Sequence, residues 1–225
     1  MNSSYLKPFT LVLAVLGLAA LGRAQTDPVP VATRPSIVDQ PGVLGQSFTD
    51  LNFSWEDVHD NSANGYNAAL SGNVPVARGV DVGLGYDYYW MRGNASAHSH
   101  LLNAYTNLFS ANYHGVKPFV GGAVGYQWAQ SHYTGRLFHP FTSSNDRWVW
   151  GVDAGAEIPL GTIALTPRVG YTDTMDANTI GSYHYGVEAH HWFSETIGGY
   201  ADATYNDLQH NADSWTYTAG LRFRF

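Results

Sequence analysis

Trp215-Thr216-Tyr217-Thr218-Ala219-Gly220-Leu221-Arg222-Phe223-Arg224-Phe225 alternates from end to end. Successive side chains of a strand point to opposite faces. Trp215, Tyr217, Ala219, Leu221, Phe223 and Phe225 therefore share one face, and Thr216, Thr218, Gly220, Arg222 and Arg224 share the other. The first face is apolar and aromatic, the second polar and cationic. Soluble sheets also alternate, but an apolar strand at the close of a soluble chain is unusual.

The same beat recurs upstream. Leu51, Phe53 and Trp55 alternate with Asp50, Asn52, Ser54 and Glu56. Val80, Val82, Leu84, Tyr86 and Tyr88 oppose Asp81, Gly83, Gly85 and Asp87, and Val120, Val124, Tyr126 and Trp128 oppose Gly121, Gly125 and Gln127. Further on, Trp150, Val152, Ala154 and Ala156 oppose Arg147, Asp153 and Glu157. Val169 and Tyr171 oppose Arg168, and Tyr183, Tyr185 and Val187 oppose His184 and Glu188. Stretches near Tyr66–Asn73, Leu101–Ala111 and Ile197–Asn206 alternate more weakly, and the facing of Leu101–Ala111 stays open. The total is about ten strands, with eight if two weak ones are misread. Short turns are expected near Val74–Gly79, Asn112–Lys117, Pro159–Thr162 and Ser194–Thr196. Longer polar loops are expected near Asp57–Asn64, Arg92–Ser99, Ser131–Asp146, Asp173–Ile180 and Asp207–Asp213. An even strand count with alternating short and long connections fits an all-β, transmembrane, antiparallel up-and-down barrel.

Composition agrees. Of 225 residues, 13% are charged and 14% aromatic, with 24 Gly and no Cys. A soluble domain carries about a quarter charged residues. Mean hydropathy is −0.20, which excludes a helical membrane protein but suits a sheet with one greasy and one polar face. The lack of Cys excludes a disulfide framework, a thiolate metal site and a lipoprotein anchor. A net charge of −7 argues against nucleic acid as a partner.

The first residues read as an export signal. Lys7 precedes an apolar run from Phe9 to Leu21, too short to span a bilayer comfortably, and Gly22-Arg23-Ala24 offers small residues for cleavage. Residues 1–24 are thus expected to be a signal peptide rather than an anchor, and its removal takes the charge to −9. Residues 25–45, with Pro28, Pro30, Pro35 and Pro41, are expected to be an extended, solvated periplasmic linker. The barrel is expected over 46–225, in the outer membrane.

Trp55, Trp90, Trp128, Trp148, Trp150 and Trp215 all fall near the loop ends of their strands. Indole favours the headgroup level of a bilayer, so tryptophans at one height form a girdle. A soluble β-sandwich would scatter them through its core.

Pro118-Phe119-Val120-Gly121-Gly122-Ala123-Val124-Gly125-Tyr126 resembles the central strand motif of small bacterial outer-membrane barrels of the OmpA-barrel, OmpX and opacity type. Leu221-Arg222-Phe223-Arg224-Phe225, with Phe223 and Phe225 as its aromatic positions, resembles the signal read by the barrel-assembly machinery. The resemblance spans the barrel from about Gln46 and implies architecture, not activity. It also implies outer-membrane lipid and lipopolysaccharide as surroundings, the assembly machinery as a partner during biogenesis, and a monomer. Its relatives have eight strands, against about ten here.

Function is less legible. The polar faces carry Asp50, Glu56, Asp81, Asp87, Asp153, Glu157, Glu188 and Asp202 against Arg147, Arg168, Arg222 and Arg224. Isolated buried charge is costly, so these groups must pair or hydrate. A bracing network is the expected role, with Asp50 facing Arg222 and Arg224 across the closing seam. A narrow, cation-preferring path is the alternative. An omptin-like protease is a third reading, but its Asp-x-Asp spacing is absent, and Glu188 with His190 lies toward a periplasmic turn. Ten His raise the question of a metal, yet His98, His100, His190 and His191 bring no third ligand together in sequence. No metal, cofactor or catalytic residue is expected. Loop 131–146, with His132, Tyr133, Arg136, Phe138, His139 and Phe141, has an aromatic and basic mix suited to surface contact.

Overall fold

The computed structural model describes residues 41–58, 64–92, 95–110, 115–133, 141–175, 181–208 and 212–225. Ten strands follow in order: β1 (Phe48–Val58), β2 (Asn64–Ala77), β3 (Val80–Arg92), β4 (Ala95–Phe109), β5 (Lys117–Tyr133), β6 (Phe141–Leu160), β7 (Ile163–Thr174), β8 (Ser182–Trp192), β9 (Ile197–Leu208) and β10 (Ala212–Arg224). Each pairs antiparallel with its sequence neighbours, and β1 pairs with β10 to close the barrel. Closure gives every strand two partners, which lets a sheet cross hydrocarbon without a free edge. Ten is the expected count.

The side chains are arranged inside out relative to a soluble protein. Among the described residues, five hydrophobic side chains are buried, against thirteen polar or charged ones. Leu51, Phe53, Val120, Val124, Val152 and Val169 are all exposed on the outer wall. Only a lipid environment makes such a wall favourable, since apolar surface left in water forgoes about 25 cal/mol per Å².

The two ends differ. At one, which we call the turn end, Arg78-Gly79 joins β2 to β3 and Gly161-Thr162 joins β6 to β7. Gly79 and Gly161 have φ of 78° and 66°, the left-handed region where a side chain is strained, and this allows such tight reversals. At the other, the loop end, strands run further than their polar composition suggests. The expected loop 92–99 is mostly strand, because β4 begins at Ala95, so His98 and His100 stand on a strand. The expected loop 131–146 shrinks likewise, with β5 continuing to Tyr133 and β6 starting at Phe141. Arg136, Phe138 and His139 lie outside the described residues. Strand rungs above the membrane meet water, so polar residues there are compatible with pairing.

The facing of β4, open from sequence, is resolved. Asn103 Nδ2 donates to Asp87 in the lumen and Tyr105 and Asn107 line an inner cavity, whereas Leu108 is exposed on the outside. Leu101 also turns inward, toward Gly125. Residues 1–40, which hold the expected signal peptide and most of the expected linker, lie outside the described residues. Pro41–Gly45, expected at the end of a solvated linker, are instead packed against the barrel interior: Pro41, Gly42 and Leu44 are buried.

Candidate functional site: a braced and plugged lumen

The lumen is organised in three levels. Just inside the turn end, Arg222, two residues before the end of β10, reaches two other strands. Its Nε donates to Asp50 Oδ1 of β1 at 2.9 Å. Nη1 and Nη2 donate to the two oxygens of Glu188 on β8, at 2.6 and 3.0 Å. This is the bidentate fork that suits guanidinium to carboxylate. The guanidinium carbon also lies 4.1 Å from the Tyr200 ring centroid and 5.2 Å from that of Phe48. Arg222, Asp50 and Glu188 are 5%, 6% and 8% exposed, so all three are withdrawn from bulk water. Beside them, Arg168 of β7 meets Asp202 of β9 at 2.9 Å. Asp153 lines the same cavity as Arg168 and Arg222.

Toward the loop end the contacts are local. Asp87 accepts from Asn67 at 3.2 Å and Asn103 at 3.0 Å. Glu56 accepts from Tyr89 and Ser214. Arg147, expected among the carboxylates, donates to Gln127 Oε1 at 2.8 Å instead. Arg224, expected across the seam from Asp50, lies over the Trp192 ring at 3.9 Å near the turn end. The anticipated charges therefore stand in the lumen as separate groups, not as one connected network.

The turn end holds what sequence reasoning missed. Residues 41–47 run across the inside of the mouth before entering β1. The Pro41 carbonyl meets His190 Nδ1 on β8 at 2.9 Å, and the Gly42 carbonyl accepts from Trp192 Nε1 at 3.3 Å. The Val43 and Leu44 N–H groups both donate to Glu157 Oε2 on β6, at 2.5 and 3.0 Å. Lys117 of β5 bridges Glu157 Oε1 at 3.0 Å and donates to the Leu44 carbonyl at 3.1 Å. Gly45 N–H donates to Asp81 of β3 at 2.8 Å, and Asn73 of β2 donates to the Gln46 carbonyl at 2.9 Å. A turn closed by Gln46 N–H to the Val43 carbonyl, at 3.1 Å, bends the segment inward. Gly45 occupies its φ-positive position, at 82°. Five strands thus hold one short segment mainly through its backbone. Glu157 and Asp81, buried acids, find in its N–H groups the donors that burial requires. Lys117, Trp192 and the plug residues were not picked out from sequence.

Among the described residues, two cavities adjoin the plug and the Arg222 group. One of about 190 Å³ lies between the plug residues Val43 and Leu44 and the Arg222 group. A second, of about 400 Å³, rises from Asp50, Arg168 and Glu188 toward the loop end past Asn67, Asp87 and Thr216. They share those first three residues as common wall.

On the outside, rings cluster toward the loop end. Trp55 stacks on Tyr217 at 5.6 Å, Trp90 on Tyr66 at 5.7 Å, and Trp215 meets Tyr205 at 5.4 Å. Trp128 and Trp148 flank Tyr126 at 5.1 and 5.3 Å, and Trp150 meets Tyr171 at 5.7 Å. His100 joins this belt, hydrogen-bonded to Tyr86 Oη at 2.7 Å. Phe223 and Phe225 are exposed at the turn end.

Glu188 is engaged by Arg222, and His190 is occupied by Pro41. The sequence does contain one Asp-x-His spacing, Asp57-Val58-His59. Asp57 is exposed at the loop end of β1, and His59 lies outside the described residues. Among the described residues, no group of three or more His, Asp or Glu is placed to hold a metal ion.

No protein-family model and no curated protein matches the sequence. Solved structures do. The β domain of the Bordetella autotransporter Brka superposes with a TM-score of 0.50 at 13% identity, over 80% of this chain and 99% of that one. Neisserial surface protein A gives a TM-score of 0.44 at 14% identity, over 80% and 96%. The N-terminal barrel domain of Pseudomonas aeruginosa OprF gives 0.40 at 13% identity, over 80% and 99%. At such identities the likeness concerns the fold alone: the chain is a closed, ten-strand antiparallel β-barrel with an apolar outer wall.

Proposed function

We propose that this chain is a closed barrel of the outer membrane with a structural or surface-interaction role and no catalysis. One observation carries the reading: buried Arg222 ties β10 to Asp50 of β1 and Glu188 of β8 inside the lumen, and residues 41–47 occupy the turn end below it. A barrel of about ten strands is close to the size that its own side chains fill. Its natural surroundings are then outer-membrane lipid and lipopolysaccharide, with the barrel-assembly machinery as a transient partner. A monomer fits, because each described strand already has two neighbours within the chain. Planar-bilayer recording of the full mature protein, verified as folded, tests this. A silent bilayer is expected, and steady openings in the unmodified protein would refute it.

A further inference from the structure

The plug is held in a way that contrasts with the rest of the wall. The neighbouring strands are joined by continuous ladders, whereas residues 41–47 are joined to the lumen by a few isolated hydrogen bonds spread over five strands. No charged side chain belongs to the segment itself, so its removal leaves no charge of its own unpaired. What it leaves is an acidic mouth. Glu157 would lose the Val43 and Leu44 donors and Asp81 the Gly45 donor, while Lys117 alone would remain beside Glu157. The cavities behind it carry seven carboxylates on their walls against Arg168 and Arg222.

We infer that residues 41–47 are a displaceable plug, and that the barrel conducts small hydrated cations when the plug is withdrawn. The proposal rests on the reading that the resting barrel is closed, and it adds a second state. Cations are the favoured solute because excess fixed acid in a narrow, low-dielectric passage attracts cations and repels anions. Small ones are favoured, since the two adjoining spaces, about 190 and 400 Å³ with Asp50, Arg168 and Glu188 as common wall, leave room only for small solutes. The Arg222 group sits on strands and keeps its own partners when the plug leaves, so the barrel can open without losing its brace.

The structure offers a reversible test. A Cβ built at Gly42 falls against the Glu157 carboxyl group, so the Cβ positions of residues 42 and 157 lie within about 4.5 Å, the span a disulfide bridges. The chain has no Cys, and a Gly42→Cys/Glu157→Cys pair would therefore form one defined disulfide. One folded preparation can then be recorded in a planar bilayer before and after reduction, under a potassium chloride gradient. Oxidised protein should be silent. Reduced protein, with its plug freed from both the bridge and the Glu157 anchor, should open, with a reversal potential on the potassium side. The open fraction should rise at least about tenfold, the factor carried by loss of one charge-assisted hydrogen bond. Gly42→Leu, which drives a side chain into Glu157, should open the barrel without any thiol. If the reduced pair and Gly42→Leu are both silent while folded, the plug is not a gate, and the closed-barrel reading stands. If the unmodified protein conducts as well as these variants, the plug does not close the barrel and both readings fall. Anion-selective openings would overturn the solute assignment.

Discussion

Arg222→Met places the sharpest demand on the arrangement described above. The substitution removes three charge-assisted hydrogen bonds and leaves Asp50 and Glu188, 6% and 8% exposed, facing each other across the lumen without their shared cation. Each such bond contributes about 1.5–3 kcal/mol net. Part of that sum is regained because the guanidinium no longer has to be stripped of water. Measured losses when one partner of a buried ion pair is deleted run to about 3–5 kcal/mol, and we expect the same here. Urea unfolding in lipid vesicles, followed by tryptophan fluorescence, reads this as a shift of midpoint at constant slope. The triple variant Arg222→Met/Asp50→Asn/Glu188→Gln should recover most of the loss, because removing all the charges together also removes their desolvation cost. A single-variant loss below about 1 kcal/mol, the size of a water-screened surface pair, would refute the reasoning. It would mean that the lumen around Asp50 and Glu188 is wet enough to solvate either carboxylate alone.

Val152, half exposed on the outer wall of β6, should face hydrocarbon, so Val152→Arg should cost about 2–4 kcal/mol in the same assay, and a neutral result would mean the wall is turned the wrong way. Lipids brominated at defined depths should quench the loop-end tryptophans most strongly near the headgroups, while Trp192, 6% exposed and packed under Arg224, should be protected. Maximal quenching at the bilayer centre would abolish the girdle. Deletion of Phe225 should slow assembly in cells far more than deletion of Gln25, as read by the fraction of protein reaching a heat-modifiable folded form, and equal rates would remove Phe225 from the assembly signal.

The barrel was readable because its signal is periodic and repeated: Leu51–Trp55, Val80–Tyr88 and Trp215–Phe225 each state the same facing independently. β4 was harder because Leu101 and Leu102 lie side by side, and either could have been the outer residue. The loop ends misled because His98 and Ser131 are polar, and polarity marks both loops and strand rungs that stand clear of lipid. Pro41-Gly42-Val43-Leu44-Gly45 looked like linker for a deeper reason. Its attachment uses backbone N–H and C=O groups, which every linker also has. The side chains that capture it, Asp81, Lys117, Glu157 and Trp192, come from β3, β5, β6 and β8 and converge only when the sheet closes. A plug made of main chain has no alphabet of its own.

The seam between β1 and β10 also bears on the order of folding. Arg222 and Asp50 are 172 positions apart, so their contact is among the most distant the chain makes. Glu188 is only 34 positions from Arg222, and a nascent sheet can unite those two long before its edges meet. Chain entropy charges only about 0.6 kcal/mol for each doubling of a closed loop, so distance alone is a mild obstacle. The plug directly precedes β1, and Phe225 N–H bonds to the Ser47 carbonyl at the join between them. Zipping the two edges therefore brings Asp50 to the waiting guanidinium and draws residues 41–47 under the mouth in the same movement. Last to form, that contact is the one whose completion turns a curled ribbon into a sealed vessel.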